Sequence, residues 1–193
     1  ARTLQTKLDI VNGMTSISRA LWYKHKHSKI VTESYTLNPK KRSYNDLIVG
    51  QVEISKPHTV DKQKMLNFAA EYDPQYFHAD ESAAKDSRFG EVIASGQYTM
   101  VLWRKIDHQL AHDIAWICGI AWDDVRWPIA VKAGDQLRAS AECLEKRLSA
   151  SDPTRGVVKY QYRLLNQRDE VVFSCVSTNL VEVSVDTERQ ASA

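Results

Sequence analysis

Residues 68–103 read FAAEYDPQYFHADESAAKDSRFGEVIASGQYTMVLW. Upstream, Met65, Leu66, Phe68 and Ala69 share one helical face, and Thr59 is the expected cap of that helix. Proline disfavours helix at the residue before it, so Pro74 ends the pattern at Asp73 and opens a loop that carries His78. A short helical turn is expected over residues 80–84. Ala94-Ser95-Gly96 then forms a turn, and Met100, Val101, Trp103, Ile106, Leu110 and Ala111 recur at helical spacing as far as His112. The stretch predicts a loop holding a carboxylate and an imidazole, followed by a long, mostly buried helix led by glycine.

Outward from this stretch the periodicity changes. Residues 114–127 are rich in Trp, Ile and Val, and residues 136–148, 156–165 and 171–185 alternate or run apolar. Turn residues separate them at Ala133-Gly134-Asp135, Ser151-Asp152-Pro153 and Asn166-Gln167-Arg168-Asp169. Toward the N-terminus, residues 48–54 read as a strand with Gly50 as a bulge or close approach. A helix followed by a meander of long strands predicts an α+β domain in which a curved antiparallel sheet wraps a central helix. The expected domain spans residues 44–185, with a tail over 186–193.

Residues 1–43 read as a basic, partly ordered arm. Residues 19–42 hold Arg19, Lys24, Lys26, Lys29, Lys40, Lys41 and Arg42 against Glu33 alone, a net +6, and residues 1–18 add +1. By difference from the chain's +2, residues 43–193 carry −5. The folded part is mildly acidic, so a nucleic-acid partner is not expected, and the arm is read as solvated or as a targeting leader. His25 and His27 in the arm lack a third ligand, so no metal site is expected. The longest apolar stretches fall short of a membrane span. Cys118, Cys143 and Cys175 are odd in number and widely spaced, which argues for a reducing compartment. The expected location is the cytoplasm, or an organelle matrix if the arm is a targeting segment.

Adding water to a conjugated double bond needs a base for the water proton, an acid for the α-carbon, and donors for the enolate charge on the carbonyl. Asp73 and His78 can flank one water. The Gly96 amide, at a helix N-terminus, can meet the carbonyl oxygen, and glycine lets a substrate approach the backbone. The same residue types have plainer readings: Asp73 as a helix-ending residue before proline, His78 as a structural loop histidine. His108 and His112 stand four apart, but position 109 is Gln where a zinc-protease motif has Glu.

The longer pattern F-A-x-x-Y-D-P-Q-x-F-H-x-D-x-x-A-A, followed by F-G-x-x-I-A-S-G, resembles the MaoC-like dehydratase family, which includes (R)-specific enoyl-CoA hydratases. Val125-Arg126-Trp127 and Ala130-Val131-x-x-Gly134-Asp135 are similar to a strand and turn of that family. The resemblance covers residues 44–183. It implies a hot-dog fold, a homodimer or higher oligomer, and a substrate carried as a thioester of coenzyme A or acyl carrier protein, with no further cofactor. It implies that Asp73 and His78 are the catalytic pair and that Gly96 supplies the oxyanion donor. Gln75, Tyr76, Phe77, Ser95, Gln97 and Tyr98 are the expected substrate-binding residues around them. The chain departs from the family pattern D-x-N-P-x-H, with Gln75 for Asn and Tyr76 for Pro. Ser95 stands where His is common, and Ala130 where Pro is common.

The expected reaction is hydration of a trans-2-enoyl thioester to a 3-hydroxyacyl thioester, or its reverse. The alternatives are a non-catalytic acyl-thioester-binding protein and a hot-dog thioesterase. The thioesterase reading lacks a carboxylate in the first turns of the central helix, since Asp107 comes late. A homodimer is also expected from the aromatic content: Trp116, Trp122 and Trp127 crowd one strand region. Simple alternation would put Trp116 and Trp122 on one face and Trp127 on the other.

Overall fold

The computed structural model describes residues 41–184. The basic arm up to residue 40 and the tail from 185 lie outside the described residues. Strands β1 (Val52–Ile54), β2 (His58–Thr59), β3 (Trp116–Arg126), β4 (Gln136–Leu148), β5 (Arg155–Leu165) and β6 (Val171–Glu182) form one antiparallel sheet. Helices α1 (Lys62–Tyr72), α2 (Tyr76–Ala79) and α3 (Gly96–Ala111) complete it, with single 3-10 turns at Tyr44–Asp46 and Ala83–Asp86.

The strand order is β1-β4-β5-β6-β3, with β2 also on β4. The expected simple meander holds for β4, β5 and β6 only. β3 precedes β4 in the chain yet pairs with β6, as in Trp122 opposite Ser177, so the chain crosses over before the meander begins. β5 shows why the sheet has a dry face. Gly156, Val158, Tyr160, Tyr162 and Leu164 are buried, while the residues between them are half-buried, the period of two that a pleated strand imposes.

That dry face closes on α3. Trp103 is fully buried, with its ring centroid 5.3 Å from Trp122, 5.0 Å from Tyr162 and 5.3 Å from Phe173. Leu102, Ile106 and Ala111 continue the buried side of the helix. Val101, expected in the core, is exposed, because it lies on the side of α3 turned away from the sheet. Asp107 sits within the buried side with 0% exposure; its Oδ2 accepts a 2.5 Å hydrogen bond from Arg104, and its Oδ1 has no partner among the described residues.

Three expectations fail for local reasons. Residues 48–51 do not join the strand: Gly50 has φ +85°, which only glycine adopts easily, and β1 starts at Val52. Thr59 belongs to β2, where its hydroxyl pairs with the Gln136 side chain; Asp61 caps α1 by accepting from Lys64 N–H at 3.0 Å. Trp127 does not lie opposite Trp122. The register shifts three times, between Trp116 and Cys118, between Gly119 and Ala121, and between Asp123 and Arg126, where Asp124 takes φ +50°. Each bulge resets the alternation. Trp116 reaches Tyr160, Trp122 reaches Trp103 and Trp127 reaches Phe173, so all three rings turn toward buried aromatic neighbours of one core.

The start of the described chain is tied to distant elements. Arg42 makes a bidentate ion pair with Asp113 (2.8 and 2.9 Å), reaches Glu53, and donates to the Leu110 carbonyl at 2.7 Å, so it caps the end of α3. Lys146 donates to the carbonyls of Tyr44 (3.0 Å) and Leu47 (2.6 Å), with its ammonium over the Tyr44 ring. That ring lies against Gly156, where any Cβ would clash with it.

Burial pushes the Asp107 carboxyl up to about 6, with Arg104 opposing the shift. A folded-state value above the unfolded one means the folded protein holds the proton more tightly. This group's contribution to stability is therefore greatest at low pH and declines as pH rises from about 4 to about 6. Asp107→Asn should remove that slope. Chemical denaturation of wild type and variant at pH 4.5 and pH 7.5 should differ in pH response by about 2 kcal/mol, and identical responses would show that the carboxyl titrates normally.

Candidate active site

Proline decides where Asp73 stands. α1 stops at Tyr72, and Asp73 leaves the helix with φ −153° and ψ 68° ahead of Pro74. The chain then makes the single turn α2, which was expected as open loop and which carries His78 inward. His78 is buried, with 7% exposure. Asp80 ends this turn; its carboxylate accepts from Ser82 N–H (2.8 Å) and Ala83 N–H (3.1 Å) and starts the next one.

The imidazole is held from behind. His78 Nδ1 lies 2.9 Å from the Ile93 carbonyl oxygen, which can only accept, so Nδ1 carries a proton. In the neutral ring Nε2 then presents its lone pair. Ile93 N–H donates back to the Phe77 carbonyl at 3.1 Å, and Ala94 N–H donates to Val131 at 2.8 Å. These bonds clip the approach to α3 against α2 and against the connection after β3. His78 Nε2 faces Asp73 Oδ2 across 3.9 Å. The gap is too wide for a direct hydrogen bond and suits one water donating a proton to each acceptor. Gln75 Nε2 donates to Asp73 Oδ1 at 2.9 Å, which leaves Oδ2 for the gap.

Ser95 is the N-cap of α3, 1% exposed, with its hydroxyl accepting from Tyr98 N–H at 3.1 Å and its carbonyl accepting the Thr99 hydroxyl. Gly96 is the first helical residue, so its N–H has no intrahelical acceptor and carries part of the positive helix end. Trp127 shares this spot, a role the sequence reading missed. Its Nε1 donates to the Gly96 carbonyl at 3.0 Å, and a Cβ on residue 96 would stand 3.2 Å from the indole. A side chain here would crowd the indole by a few tenths of an ångström, so glycine suits the indole as well as a ligand. The one signal in the sequence was a tryptophan directly before Pro128.

Of the other expected site residues, Phe77 contacts His78 edge-on (4.5 Å between ring centroids) and Phe89 (5.5 Å). Tyr76 is exposed and stacks edge-on against Phe77. Tyr98 is buried against Phe68 at 5.2 Å, and Gln97 is exposed. Asp73, Gln75, Phe77 and His78 are brought together by direct contacts. Ser95, Gly96 and Trp127 form the adjoining helix start.

The chain belongs to the family described as MaoC like domain, whose profile matches residues 45–164. It is 30% identical over 132 residues to the uncharacterized protein YdeM of Bacillus subtilis (strain 168), covering 67% of this chain and 91% of that one. It is similar to the MaoC-like dehydratase of Rhodospirillum rubrum (33% identity, TM-score 0.66, 75% of this chain and 99% of that one). It also resembles the unliganded R-hydratase PhaJ1 of Pseudomonas aeruginosa (23% identity, TM-score 0.61, 75% and 88% covered). A Mycobacterium tuberculosis protein with a double hotdog fold shares the architecture (16% identity, TM-score 0.57), with this chain covering 46% of it. The fold is the hot-dog, of α+β class. No helix among the described residues is long and apolar enough to cross a membrane.

Gly96→Ala should crowd the indole and shift it by a few tenths of an ångström. Overpacking of this size costs about 1–3 kcal/mol, read as a lowered denaturation midpoint and a shifted tryptophan emission. In a Trp127→Ala background the same change should cost much less. Equal costs in both backgrounds would mean that the contact does not constrain position 96.

Proposed function

We propose that this protein is a hydro-lyase that adds water to a trans-2-enoyl thioester, giving a 3-hydroxyacyl thioester, or runs the reverse. The observation that carries this reading is the 3.9 Å separation of Asp73 Oδ2 and His78 Nε2, two acceptors close enough for one water beside them to donate to both. Family membership and the hydratases among proteins of this fold support it.

The proposed mechanism follows from the arrangement. A water donating to both acceptors has its oxygen lone pairs directed away from them, toward the substrate. As that oxygen bonds to C3, the pair takes one proton, and an imidazolium formed at His78 faces the Asp73 carboxylate. The C2–C3 π electrons move toward the thioester, where the Gly96 N–H meets the charge growing on the carbonyl oxygen. The pair then returns a proton to C2, so one hydroxyl and one hydrogen have been added. Gln75 holds Asp73 in the orientation this needs, and Phe77 walls the imidazole. Coenzyme A or an acyl carrier protein would supply the thioester.

A homodimer belongs to the same proposal. β3 is an outer strand of the sheet, eleven residues long, with Ile117, Ile120 and Trp122 exposed. An edge of that length and apolar character is a template for pairing with another strand. Sedimentation equilibrium should return twice the 22.0 kDa chain mass at micromolar concentration. An active species at the single-chain mass would rule the dimer out.

Asp73→Asn and His78→Ala should each slow hydration of crotonyl-CoA by about 10²–10⁴-fold, the usual worth of a general acid or base, with unchanged circular dichroism. The loss of enoyl-thioester absorbance measures it. Turnover that survives both substitutions would remove the pair from the mechanism, and release of free thiol without hydration would favour thioester hydrolysis instead.

A further inference from the structure

A partly open cleft lies along the same central helix. A cavity of about 330 Å³ is lined by Arg104 and His108 of α3, by Trp116, Cys118, Gly119 and Trp122 of β3, by Tyr162 of β5, and by Ser177 and Asn179 of β6. Its lining combines aromatic rings with a cation and several hydrogen-bonding groups, and includes no carboxylate. Such a lining suits an anion attached to an apolar body.

Arg104 is the feature that selects the charge. Its guanidinium lies over the Trp103 ring at 5.2 Å, and Nη1 is fixed on Asp107 Oδ2 at 2.5 Å. This is its one hydrogen bond among the described residues, so the remaining donors are available, and the side chain is 41% exposed. Asp107 is fully buried and outside the lining, where it holds the guanidinium in place. Burial, then Arg104 and His112, keep His108 below the ordinary imidazole range, so it acts as a neutral hydrogen-bonding group. Burial, above all, raises the Tyr162 phenol well above its ordinary value, so it stays protonated and can donate.

The position of this cation relates it to the candidate site. Gly96, Met100 and Arg104 are spaced by four along α3, which keeps them on one side of the helix. Eight residues of helix place Arg104 about 12 Å beyond Gly96. An extended chain advances roughly 1.2 Å per bond, so about ten carbons span that distance.

Resting on the hydratase reading above, we infer that the preferred acyl group ends in a second carboxylate, which Arg104 binds with help from Asn179. The Asn179 Oδ1 accepts from Ser177 Oγ at 3.1 Å, and its Nδ2 gives one hydrogen to the Ser177 carbonyl at 3.3 Å and keeps the other for the ligand. The substrate class is then the thioester of a medium-chain dicarboxylic acid rather than of a plain fatty acid. The apolar rings of the cavity accommodate the last methylenes, and the guanidinium receives the terminal charge in a charge-assisted hydrogen bond.

The test compares trans-2-decenoyl-CoA with its ω-carboxy counterpart, and their saturated analogues as non-reacting ligands. Wild type should favour the ω-carboxy compound by about tenfold or more, the usual worth of a hydrogen bond to a charged group. The preference should appear both in kcat/KM for hydration and in calorimetric affinity for the saturated pair. Removing Arg104 alone would strand the buried Asp107, so the variant is Arg104→Met combined with Asp107→Asn, and the preference ratio in it should fall to about one. The binding arm separates the two readings. Selective binding of the saturated ω-carboxy analogue without turnover of either enoyl compound would sink the hydratase reading and leave this inference standing. Hydration of both enoyl compounds with no preference would overturn the inference and leave the hydratase. Equal affinity for the saturated pair, or a preference that persists in the double variant, would also overturn it.

Discussion

The structure turns on how the N-terminal end of α3 is met. A helix buried against one face of a sheet carries unsatisfied N–H groups into the protein, and each must find an acceptor or a purpose. Ser95 satisfies the Tyr98 amide. The residues just ahead are pinned by Ile93 to Phe77 and by Ala94 to Val131, so the helix start, the α2 turn and the post-β3 connection become one unit. The same Ile93 carbonyl that ends this network fixes the His78 ring. The scaffold that begins the helix is thus also the scaffold that orients the imidazole, and the Gly96 amide is left over at its centre.

Charge is placed in two distinct ways along that helix. Near its start, Asp73 is half-buried and shared between Gln75 and an open gap, an arrangement that keeps one oxygen available. Near its end, Asp107 is fully buried and held by Arg104, with one oxygen unpartnered. Burying a carboxyl this way costs free energy unless the partner geometry is good. Its retention is understandable if a fixed guanidinium at that place is worth more than the loss.

Much of this was legible in the residues. The Pro74 break, the capped glycine start of α3 and the alternation of β5 are strong local signals, and they gave the helix, the strand set and the Asp73–His78 pair. What stayed hidden depended on parity and on competition between neighbours. Three bulges in β3 carry no residue signature of their own, so Trp127 was assigned to the wrong side and its contact with Gly96 was missed. Thr59 and Asp61 are both good caps two residues apart, and pairing of β2 with β4 decided between them. The crossover that brings β3 beside β6 is a long-range pairing that no local pattern encodes. The one-turn helix under His78 is too short for any periodicity to reveal.

The attachment of Tyr44 to Gly156 has a consequence for the order of assembly. The ring rests on a glycine more than a hundred residues later, and Lys146 and Asp113 hold its neighbours across similar separations. Contacts that close such long loops cannot form until the strands they join already exist, since loop-closure entropy must be met before the contact can repay it. The segment around Arg42 is therefore expected to dock after the strands it joins. It is also the part whose temporary release would leave the sheet intact while uncapping the end of the central helix.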